Sequence, residues 1–71
     1  MKDATRAFFE KLLADSVKTA SDSYAAELRA QARGMLSALL AEDVVSPTAY
    51  VAELILVDLA AAQRAERKET M

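Results

Sequence analysis

Glu42-Asp43-Val44-Val45-Ser46-Pro47 is the stretch that decides the architecture of this 71-residue chain. Val44 and Val45 are β-branched and disfavour a helix. Ser46 is a good N-cap residue, and Pro47 after it suits the first helical position, where a missing N–H costs nothing. A break over 43–46 follows. The composition downstream of it is rich in Ala and Leu, with Arg64, Arg67 and Lys68 in the last turns, where cations complement the helix dipole. The spacing predicts a helix over 48–67.

Little else in the sequence punctuates. There is one Gly, one Pro and 16 Ala. Gly34 lies in a helix-forming context that tolerates it at about 1 kcal/mol. Ala26, Ala30, Gly34 and Ala38 form a ridge of small residues that reads as an exposed Ala surface or as a place for close helix approach.

The first 42 residues carry two apolar stripes at helical spacing. Phe8, Phe9, Leu12, Leu13 and Val17 make one, and Tyr24, Leu28, Ala32, Met35, Leu36 and Leu39 make the other. The second is rotated from the first. One continuous supercoiled helix fits this pattern, and so does a break within Thr19-Ala20-Ser21-Asp22-Ser23. Thr19 followed three residues later by Asp22 resembles a capping box and favours the break. No segment alternates as a strand would. The chain reads as all-α: a helical hairpin or three-helix chain, with helices at about 3–18, 22–42 and 48–67. Residues 1–71 form a single helical domain.

A chain this short has a small core. It contains no Cys to cross-link it, and without Cys or His a structural zinc site is implausible. Self-association into a helical bundle, most simply as a homodimer, is the remaining source of stability. Met1 to Ser16 lacks the unbroken apolar stretch of a signal peptide, and no run approaches the ~20 apolar residues of a membrane span. The expected location is cytoplasmic, with no membrane partner.

Catalysis is not expected. There is no His or Cys, a single Gly cannot build a phosphate loop, and no metal or cofactor site is legible. The expected function is a non-enzymatic protein–protein interaction module, such as a small adaptor, co-chaperone or inhibitor. The candidate partner or dimer interface is Phe8, Phe9, Tyr50, Leu54, Leu56, Val57, Asp58 and Leu59. The last helix is apolar nearly all round over 54–62, which suggests burial against a second chain. Asp58 projects from that apolar face. It reads either as a buried carboxylate paired with Arg29 or Arg33, or as an exposed group at an interface edge. The alternative function is a small dimeric DNA-binding regulator or antitoxin-like protein using Arg29, Arg33, Arg64, Arg67 and Lys68. The net charge of −2 and pI near 5.0 make nucleic acid the less expected partner.

Overall fold

The computed structural model describes the backbone of residues 1–70 and the side chains of residues 1–68. The described residues form three helices: α1 Asp3–Lys18, α2 Asp22–Ala41 and α3 Pro47–Thr70. The described residues contain no strand. The three-helix alternative is therefore the observed one, and the single continuous N-terminal helix is excluded. α2 ends one residue earlier than the sequence suggests, and α3 runs from Pro47 and continues past residue 67.

Local chemistry explains the boundaries. At the start of α3, the Ser46 hydroxyl accepts from the Ala49 N–H at 3.1 Å, with Pro47 as the first helical residue. The cap of α2 is shifted from the expected one. Ser21, not Thr19, is the N-cap, and its hydroxyl accepts from the Tyr24 N–H at 3.1 Å. Thr19 instead ends α1 and accepts from the Ser21 N–H. This leaves Asp22 free to act elsewhere. α2 ends in a Schellman motif: Asp43 N–H donates to Leu40 O and Val44 N–H to Leu39 O. Asp43 adopts the left-handed conformation this requires, with φ at 60°, a position usually held by Gly.

Each helix packs against both of the others. Residue 6 meets residue 53 and residue 16 meets residue 64, so α1 and α3 run parallel, with α2 antiparallel between them in sequence. The bundle measures 41 × 19 × 19 Å, its length set by the 24-residue α3. Its core consists of Phe9 and Leu12 from α1, Leu28, Ala32 and Leu36 from α2, and Val57 from α3. Buried positions recur at three- and four-residue steps on every helix, as in left-handed bundles. Ala25, Ala32 and Ala60 are buried as well, so the helices approach closely around few large side chains.

Polar contacts pin α1 to α3 at both ends. Near the start of α1, Arg6 makes a two-pronged pair with Glu53 at 2.6 and 2.8 Å, its guanidinium 5.9 Å from the centre of the Phe9 ring. At the other end, Arg64 is buried and points into the C-terminus of α1. Its Nη1 donates to the carbonyls of Ser16 at 3.1 Å, Val17 at 3.4 Å and Thr19 at 2.5 Å, and its Nη2 to Asp22 Oδ1 at 2.8 Å. The last carbonyls of a helix have no partner within it, and a cation there also meets the negative end of the dipole. Arg64 thus caps α1 from another helix. Ser16, itself fully buried, satisfies its hydroxyl on Leu13 O at 2.6 Å.

Two stability outcomes follow. Arg64→Met leaves buried carbonyls short of donors and should cost about 2–3 kcal/mol in denaturant unfolding, with Arg64→Lys recovering less than half. The ridge Ala26, Ala30, Gly34 and Ala38 is exposed, and a Cβ on Gly34 would meet nothing within 4 Å. Gly34→Ala should therefore add about 1 kcal/mol, read as a melting temperature several degrees higher.

Candidate interaction surface

α3 has two faces with different environments. Val57, Ala60 and Arg64 point inward, and Tyr50 and Leu54 lie partly buried against the core. On the opposite side Val51 is 56%, Ile55 53% and Leu59 51% exposed, with Leu56 beside them at 39%. Ala52, Ala62 and Gln63 share this outward side. A run of large aliphatic side chains more than half exposed along one helix is a contiguous patch, not scattered exposure. The patch continues into a groove of about 310 Å³ between α3 and α1, lined by Leu13, Ala14 and Val17 with Leu56, Leu59 and Gln63, and edged by Glu10.

The structure divides the expected interface residues into two groups. Leu56, Asp58 and Leu59 are exposed on α3, and Phe8 is 55% exposed on α1. Phe9 and Val57 are both fully buried in the core of the single chain, because the three- and four-residue packing steps of α1 and α3 point them inward. Tyr50 and Leu54 also pack against that core, and the Tyr50 hydroxyl lies 3.4 Å from Ser37 Oγ. The helix that is apolar all round is buried on one side only.

Asp58 is the exposed group at an edge. Its side chain is 77% exposed and sits 3.8 Å from Arg33, which is also exposed. Such a pair adds at most about 1 kcal/mol to a monomer. Arg29 is not its partner. One of its guanidinium nitrogens, Nη1, is buried with no hydrogen bond.

The basic residues proposed for nucleic acid are largely committed within the chain. Arg64 is buried, and its guanidinium is engaged in capping α1. Arg67 donates to Val17 O at 3.3 Å, and Lys68 to Asp22. These groups border a recess of about 240 Å³ at the end of the bundle, together with Lys18 and Thr19. The α1 carbonyls and Asp22 already face the cations there, so the recess is a solvated end cap. Among the described residues no cluster of three acidic side chains could hold a metal ion, and no helix is long and apolar enough to cross a membrane.

Hydrogen bonds from Lys68 and then Arg64 lower the Asp22 carboxyl to about 2. Its ordinary value is about 3.9. Because the folded value is depressed, the contribution of Asp22 is complete above about pH 4 and lost as pH falls through about 2. Thermal melts should accordingly drop more steeply between about pH 4 and pH 2 in the native chain than in Asp22→Asn. Parallel curves would contradict this.

No protein-family model, curated protein or solved structure matches the chain, so its functional reading rests on the geometry described above.

Proposed function

We propose that the chain is a non-enzymatic protein–protein interaction module whose docking surface is the outward face of α3. The observation that carries this reading is the exposure of Val51, Ile55 and Leu59 by more than half on a helix whose other face already completes the core. Covering those side chains returns roughly 25 cal/mol for each Å² of apolar surface removed from water. Leu56 and the adjoining groove widen the surface enough to seat a helix. Adaptor, co-chaperone and inhibitor roles all work through such a face. Phe8 lies on another helix and is a secondary contact at most.

The test is a photo-crosslinking residue placed at position 55 or at position 30, with the chain expressed in the cells it comes from. Ala30 is also solvent-facing but lies on the ridge of small residues. Position 55 should give a discrete covalent adduct and position 30 none. Identical patterns from the two positions, or no adduct from position 55, would remove the proposal.

A further inference from the structure

We infer that the occupant of this face is a second copy of the chain, with its α3 laid antiparallel to the first about a two-fold axis at the level of Val57. The inference rests on the interaction-surface reading and names its partner. Two observations carry it, the spacing along the face and the area available, and the charges at its edge permit it.

An isologous contact requires that every position on the patch meet another position of the same patch. In an antiparallel pair centred on residue 57, position 55 lies level with 59, 52 with 62, 51 with 63 and 48 with 66. All eight of these positions are exposed on the structure. Large side chains then oppose large ones at the centre, Ile55 against Leu59. Small ones oppose small ones a turn further out, Ala52 against Ala62, which lets the helices stay close. The polar groups Gln63, Thr48 and Glu66 fall at the two ends of the contact, where water reaches them. No Lys, Arg or Asp lies within the strip, and its one carboxylate, Glu66, faces Thr48 and not another acid.

The edge of the strip permits the pairing. A two-fold axis of this kind keeps the same edge of each copy on the same side, so Asp58 of one chain comes beside Asp58 of the other. Two bare carboxylates would repel there. Each, however, is paired with Arg33 of its own chain at 3.8 Å, so the edge carries no net charge there.

Pressing two such helices together along about five turns excludes on the order of 1,000 Å² in total, the lower limit for a specific interface. This size fits a reversible dimer with half-association between about 1 and 100 μM.

Sedimentation equilibrium from about 1 to 500 μM tests the pairing, with the orientation read by cysteine cross-linking in a chain that has no cysteine of its own. The native chain should move from 7.7 kDa to twice that mass as concentration rises. Ile55→Lys and Arg33→Glu should each weaken association at least tenfold while the helical circular dichroism is unchanged. Mixing Ala52→Cys with Ala62→Cys should give the mixed disulfide. Ala52→Cys alone should give little, since its two sulfurs would be held about 15 Å apart along the helices. A monomer at 500 μM, or preferential 52-to-52 linkage, overturns the antiparallel pair. If the chain stays monomeric while position 55 still crosslinks to a different protein, only the self-pairing falls. If position 55 gives no adduct either, the interaction-surface reading falls with it.

Discussion

One guanidinium sets the orientation of the last helix and, through it, most of what the surface offers. The C-terminus of α1 ends in carbonyls that no residue of α1 can satisfy, close to the start of α2. Arg64 reaches into that gap from α3 and binds carbonyls on one neighbour and Asp22 on the other. Turning α3 so that Arg64 faces inward also turns Ala60 and Val57 inward, four and seven residues earlier on the same stripe. The side chains half a turn away, Val51, Ile55 and Leu59, are thereby committed to solvent. An exposed apolar face is thus a geometric consequence of an internal cap.

The rest of the bundle is consistent with a small core that needs polar help at its ends. Among the described residues only Phe9, Leu36 and Val57 are large hydrophobics with essentially no exposure, while Ala25, Ala32 and Ala60 fill other buried sites. Short side chains bring the helices near one another but bury less apolar area for each residue ordered. Arg6 with Glu53 holds one end of the parallel α1–α3 pair and Arg64 the other. Neither contact alone explains the fold. Together they fix the relative height of two helices whose smooth Ala-rich surfaces would otherwise slide.

The break at Ser46-Pro47 was legible because its chemistry is local: a hydroxyl cap and an imino acid act within four residues. The break before α2 was legible in place but not in detail. Thr19, Ser21 and Asp22 are all competent caps, and only tertiary demand distinguishes them, since Asp22 is taken up by Arg64 and Lys68. The interface residues were harder to sort. Phe8 and Phe9 look alike on a sequence stripe, yet one is half exposed and the other fully buried, because adjacent helical positions lie 100° apart. Arg64 was read as a cation serving its own helix end. The signal for its true role was its position on the Val57–Ala60 stripe, where an Arg among inward-facing residues must find acceptors inside the fold.

The account therefore rests on a division of labour within α3: the inner face holds the monomer together and the outer face does not. Denaturant unfolding at about 0.1 μM, below the proposed association range, tests this most directly by comparing Val57→Ala with Ile55→Ala. Both remove aliphatic carbons from neighbouring positions of one helix. The account predicts a loss of about 1–3 kcal/mol for Val57→Ala and a change within about 0.5 kcal/mol for Ile55→Ala. Equal losses from the two substitutions would contradict it.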